Sequence, residues 1–155
     1  MGLEVHVLDL GDIELDTSFL VLAHDPGRAQ QVPTFGFLIT GGETPIVVDT
    51  GFSEPSIMGN LGMKGWWREH QGMEAQLEAH GLTMADVGYV LHTHLHIDHA
   101  GYDDHFPSST TVVINRRELE YSASGLMGEQ YPAPYIKHLI DRLPVSYTHL
   151  RAHET

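Results

Sequence analysis

His92-Thr93-His94-Leu95-His96-Ile97-Asp98-His99-Ala100-Gly101 places five imidazole or carboxylate side chains within ten residues. That donor set suits a transition metal, because neutral imidazole and carboxylate are what Zn²⁺, Mn²⁺ or Fe²⁺ take up. The spacing adds to this. In an extended segment, side chains two residues apart point the same way. His94 and His96 can therefore reach one ion from a strand end or the loop after it. Asp98 and His99 are neighbours and need a turn to point together. The pattern predicts one ion held by His94 and His96, and a second, nearby ion held by Asp98 and His99.

Just before the motif, Val87-Gly88-Tyr89-Val90-Leu91 reads as the strand that delivers it. Farther upstream, Ile46-Val47-Val48-Asp49-Thr50-Gly51 is a short apolar strand ending in an acid. The His-x-His-x-Asp-His of residues 94–99, preceded by this Asp-Thr-Gly, resembles the signature of the metallo-β-lactamase superfamily. The wording of Thr93–Gly101, with Pro33-Thr34-Phe35-Gly36-Phe37-Leu38-Ile39 upstream, is most similar to the N-acyl homoserine lactone lactonase branch. The similarity runs from roughly Leu3 to Leu143.

The resemblance implies an α/β fold of the α+β type, the N-terminal portion of an αββα sandwich whose two halves are alike. It implies two divalent ions, Zn²⁺ being the expected metal, on His94, His96, Asp98 and His99. In the family, Asp49 looks like a group behind the ligands that orients the metal loop; by itself Asp-Thr-Gly is also a turn former. His92 lies outside the family pattern and is either a support behind the ligands or incidental. Asp103, Asp104 and His105 also fall outside it and are read as a solvated turn. Tyr102 stands where relatives often carry a second Gly, a departure that touches the loop and not the ligands.

The implied activity is metal-dependent hydrolysis of a lactone, hence quorum quenching. A hydroxide shared by two ions about 3.5–4 Å apart attacks the ester carbonyl. One ion stabilises the oxyanion, and Asp98 is placed to shuttle a proton to the leaving oxygen. Imidazole at His96, where oxygen-reducing diiron relatives carry Glu, favours hydrolysis over redox. A glyoxalase II-like thioesterase is the nearest rival, and a non-catalytic metal-binding fragment the rival of another class.

With 155 residues, the chain makes one domain with enough length for a core. A formal charge of −13 argues against nucleic acid as a partner. A small neutral lactone or ester fits better. No apolar run approaches the ~20 residues of a membrane span. No signal peptide is visible at Met1–Val7, and with no Cys there is no disulfide framework or thiolate zinc site. The expected compartment is the cytoplasm. Val145-Ser-Tyr-Thr-His-Leu-Arg-Ala-His-Glu-Thr155 resembles a translated sequencing adaptor. Residues 1–144 are then a partial domain, 145–155 a non-native tail, and His149 and His153 not ligands. The remaining family ligands would lie beyond this chain, and one sheet face would lack its cover.

The alternation of Leu3–Leu10 predicts a strand, Gly11-Asp12 a turn, and Ile13–Leu22 a second strand. Arg28–Val32 reads as a surface loop, Thr34–Thr40 and Pro45–Val48 as a hairpin around Gly41-Gly42. Phe52–His70 is a long connection rich in Met, Leu and Trp. Its Trp66 and Trp67 either line a pocket for an acyl chain or cap the core. Helices are expected at Gln71–His80, Arg116–Ala123 behind an Asn115 cap, and Tyr135–Leu143, where Ile136, Leu139, Ile140 and Leu143 form the apolar stripe. Thr83–Asp86 reads as a capped turn and Thr110–Ile114 as a strand.

Overall fold

A computed structural model describes residues 2–22 and 24–143. The proposed tail, with His149 and His153, lies outside them. The described chain is a mixed sheet with helices on one side. Its strands are β1 (Glu4–Asp16), β2 (Ala29–Thr40), β3 (Ile46–Val48), β4 (Lys64–Trp66), β5 (Tyr89–Leu91) and β6 (Thr111–Val113). They lie in the order β4-β1-β2-β3-β5-β6. Antiparallel pairing joins β4 to β1, β1 to β2 and β2 to β3; β3, β5 and β6 run parallel. The helices are α1 (Thr17–Leu20), α2 (Met73–Ala79), α3 (Arg116–Ala123) and α4 (Ala133–Arg142).

Two expectations for the first forty residues are corrected. Gly11-Asp12 is no turn. β1 runs through it, with a register shift between Asp9 and Gly11, and pairs with β2 as far as Asp16↔Ala29. Glycine is required at position 11 by packing: a Cβ there would lie 2.5 Å from the Phe52 ring and 2.9 Å from that of Trp67. The bulge lets Leu8, Leu10 and Ile13 all serve the buried face. Residues 17–20 form α1 rather than more strand, started by the Asp16 carboxylate accepting from Ser18 N at 2.9 Å. Ala29–Val32, read as loop, belongs to β2 because Asp16, Leu15, Glu14 and Ile13 stand opposite it.

Other local signals are met. Asn115 Oδ1 accepts from Arg117 N at 2.9 Å and opens α3, and Thr83 and Asp86 form a reciprocal capping box. The stripe of α4 is narrower than expected. Ile136 and Leu139 are buried, together with Tyr135, while Ile140 and Leu143 are exposed.

Even-numbered positions of β2 and their partners face the helices. Leu8, Leu38, Val47 and Val90 pack under Met73 and Leu77 of α2 and Phe106. Beside them, Ile13, Phe52, Met58, Leu95 and Ile97 pack with Tyr135, Ile136 and Leu139 of α4. The opposite face is also apolar, but open. Val7 pairs with Phe37, Phe37 with Val48, Val48 with Leu91 and Leu91 with Val113. On this face Val5, Val7, Phe35, Phe37 and Tyr89 are exposed.

The parallel arrangement of β3 and β5 places their carboxyl ends side by side, the usual position for a site in such a sheet. Asp49 follows β3 and His92 follows β5, and Asp49 N donates to Leu91 O at 2.9 Å.

Candidate metal centre

Beyond β5 the chain bends at Thr93 and then turns at Ile97–His99, where His99 N donates to His96 O at 2.9 Å. The turn brings three rings together. The centroid of His94 lies 4.5 Å from that of His96 and 4.0 Å from that of His99. Asp98 Oδ2 is 3.5 Å from His99 Nε2. Leu95 and Ile97, the residues between, are buried and anchor the segment in the core.

Asp49 organises the cluster. It is buried, with a positive φ of 59° that turns its side chain back across the loop. Its Oδ1 accepts from Thr93 N at 2.9 Å, and its Oδ2 from Thr93 Oγ1 at 2.6 Å. His99 Nδ1 lies 2.9 Å from the same Oδ2. A carboxylate only accepts, so His99 carries a proton on Nδ1, and its Nε2 is the nitrogen directed toward Asp98. The Thr93 hydroxyl, having given its proton to Asp49, accepts from His94 Nδ1 at 3.0 Å. His94 is thereby set in the same tautomer. One acid thus fixes which nitrogen of two histidines is free to bind a cation.

The electrostatics agree. Burial works to raise the Asp49 pKa, but the nearby His92 imidazole and the hydrogen bonds from His99 and Thr93 outweigh it and hold the carboxyl well below the usual range. Burial, with the neighbouring imidazoles, lowers His94; burial lowers His96 against the pull of Asp98 and Glu118. Both are held as the neutral form that a metal requires. Burial also opposes charge on His99, yet Asp49 and Asp98 raise its pKa. A divalent cation at Nε2 would satisfy the same two carboxylates.

The donor chemistry and the tautomers therefore fit a metal. The set is loose, however: among the described residues no group of three or more His, Asp or Glu side chains converges closely enough to hold an ion as it stands. His96 packs edge-on against Tyr131 with centroids 4.8 Å apart, and Leu95 N donates to Glu118 Oε1 of α3 at 2.9 Å.

Other expected residues are placed differently. His92 is not incidental: its side chain is fully buried, with Nε2 2.8 Å from Asp103 Oδ2. Asp103 is 3% exposed and so is no solvated turn residue, whereas Asp104 and His105 are exposed and pair with each other. Trp67 stacks on Phe52 at 5.7 Å, and its indole N–H donates to Leu10 O at 3.0 Å. That is a core cap with one open edge. Trp66 ends β4, opposite Asp12. Thr93, Glu118 and Tyr131 carry no local signal: Thr93 meets Asp49 across 44 residues and Glu118 meets Leu95 across 23, and Tyr131 reaches His96 from the far side of α3.

Residues 30–150 match the metallo-beta-lactamase superfamily, and the chain belongs to it. It is 31% identical over 128 residues to N-acyl homoserine lactonase AttM of Azorhizobium caulinodans, a stretch covering 77% of this chain and 48% of that protein. It is 29% identical over 146 residues to an N-acyl homoserine lactonase of Bacillus cereus, covering 88% and 55%. The chain thus spans about half the length of the curated relatives it matches. A solved N-acyl homoserine lactone hydrolase, with N-hexanoyl-L-homoserine bound at its catalytic metal center, superposes with a TM-score of 0.73. The two are 28% identical, over 88% of this chain and 57% of that one.

Proposed function

We propose that the protein to which this sequence belongs is a metal-dependent hydrolase that opens the ester ring of a neutral N-acyl lactone. The observation that carries this is that Asp49 and Thr93 occupy Nδ1 of His99 and of His94, so that in each ring Nε2 is the nitrogen left to meet a cation. Relatives named as lactonases support it. His94 and His96 would hold one divalent ion and Asp98 and His99 a second, with Zn²⁺ favoured by the imidazole-rich set. Such ions supply Lewis acidity toward a carbonyl oxygen and lower the pKa of water. Asp98 keeps a partly exposed carboxylate beside His99, where it can hold a proton for a departing alkoxide. Trp66 and Trp67 would border an acyl chain at the open edge of the Phe52 stack.

The test is hydrolysis of N-hexanoyl-homoserine lactone against S-lactoylglutathione, after Zn²⁺ titration. It is run on this chain and on the longest natural protein that contains it. Lactone opening abolished by His96→Ala and Asp98→Asn is expected. Preference for the thioester would favour a thioesterase, and bound metal without turnover would leave a binding module. Ala at Trp66 or Trp67 should raise KM more for long acyl chains than for short ones; an equal rise removes them from the pocket.

A further inference from the structure

Behind the histidine cluster lies a second buried set of charged groups that ligation and hydrolysis do not use. His92, with no exposed side-chain surface, sits between two carboxylates. Its Nε2 meets Asp103 Oδ2 at 2.8 Å and its Nδ1 faces Asp49 Oδ1 at 3.6 Å. The second contact is too long for a hydrogen bond, and Nδ1 has no other partner among the described residues. Asp103 is itself held: its Oδ1 accepts from Thr50 Oγ1 at 2.9 Å, and Thr50 N donates to His99 O at 2.6 Å. The imidazole is rigid and planar, so fixing Nε2 on Asp103 aims Nδ1 at Asp49. Two buried carboxylates this close are costly without compensation, and the ring between them supplies it.

We propose that His92 and Asp103 are positioning residues: a buried pair that clamps Asp49 from behind and, through it, keeps Nδ1 of His94 and His99 occupied and Nε2 turned to the metal. The clamp rests on the metal reading above. It adds to that reading two residues that the ligand motif does not contain. His92 acts only through Asp49, which takes the Thr93 hydroxyl and His99 directly.

The experiment compares His92→Asn, Asp103→Asn and the exposed control Asp104→Asn with the parent chain. Three quantities are read: thermal unfolding, long-range ¹H–¹⁵N spectra of the imidazoles in mildly alkaline buffer without metal, and Co²⁺ titration followed by visible absorption. The clamp predicts that both buried variants fold yet lose the single Nδ1–H tautomer of His99. It also predicts Co²⁺ affinity down about 10- to 100-fold, as for other groups that orient a ligand from behind. Asp104→Asn should change neither. Lower thermal stability with the tautomer and the affinity unchanged overturns the proposal, because the pair is then structural only. Should His92→Asn fail to fold, Asp103→Asn decides, since it keeps the shape and one acceptor for Thr50. If the parent chain takes up no Co²⁺, the two donor pairs it carries do not hold a cation without further ligands. The tautomer then judges the clamp: retained in the variants it refutes it, lost it supports it.

Discussion

Replacing Asp49 by asparagine removes a charge and little else. The residue has φ of 59°, a left-handed conformation that Asn tolerates well, so backbone strain does not confuse the result, as it would with Ala. Asn can keep Oδ1 for Thr93 N. Its amide NH₂, however, then stands where Oδ2 accepted from Thr93 Oγ1 at 2.6 Å and from His99 Nδ1 at 2.9 Å. Two hydrogen bonds to a charged acceptor are lost, each worth about 1.5–3 kcal/mol. The hydroxyl can rotate and His99 can change tautomer, which recovers part. A loss of about 2–4 kcal/mol is expected, a large share of the ~5–15 kcal/mol that holds a domain together. Urea unfolding followed by circular dichroism and by the fluorescence of Trp66 and Trp67 measures it, with the slope against urea unchanged. A loss under about 0.5 kcal/mol, the range of an ordinary surface change, would refute the claim that Asp49 organises the loop.

Gly101→Ala should destabilise by about 3 kcal/mol or prevent folding, because the new Cβ would lie 2.3 Å from Ser53 N and 2.5 Å from the Phe52 backbone. An unchanged melting temperature would show that the loop does not rest there. Lysine at Val7 or Phe37, on the open sheet face, should reduce dye binding and self-association in sedimentation while changing stability by less than about 0.5 kcal/mol. Asp16 is held below its ordinary value of 3.8 first by the Ser18 hydroxyl, and Asp86 below the same value first by that of Thr83. Both shifts are downward, so each contributes stability that is present above that value and lost as pH falls through the folded one. Melting temperature should fall with acidification below about pH 4, and less steeply in Asp16→Asn and Asp86→Asn.

What was legible in the sequence was what is local. The cap at Asn115, the box of Thr83 and Asp86, and the strands on either side of Gly41-Gly42 each depend on residues within a few positions. The donor run at 94–99 is local too, and the structure gathers its three rings in one turn. Gly11-Asp12 misled because glycine has two uses. It read as a turn, but the backbone stays paired and the missing Cβ makes room for Phe52 and Trp67, 41 and 56 residues on.

Asp49 is legible only through the family resemblance; the rest of what aims the donors, Asp103 above all, is non-local and leaves no signal in the sequence. Asp103 looked like one of several acids in a polar turn; its environment comes from Thr50 and His92, which approach it from β3 and β5. Burial separates it from Asp104, its exposed neighbour of identical chemistry. A donor motif therefore specifies which atoms can bind a cation, whereas the tautomers that present them are decided elsewhere. Here three segments, 49–50, 92–93 and 103, meet only because β3 and β5 are parallel neighbours. A chain with the same His94, His96, Asp98 and His99 but no acid at position 49 would keep the pattern and lose the orientation. The discriminating feature of this site is therefore the acid at the end of β3 and what holds it.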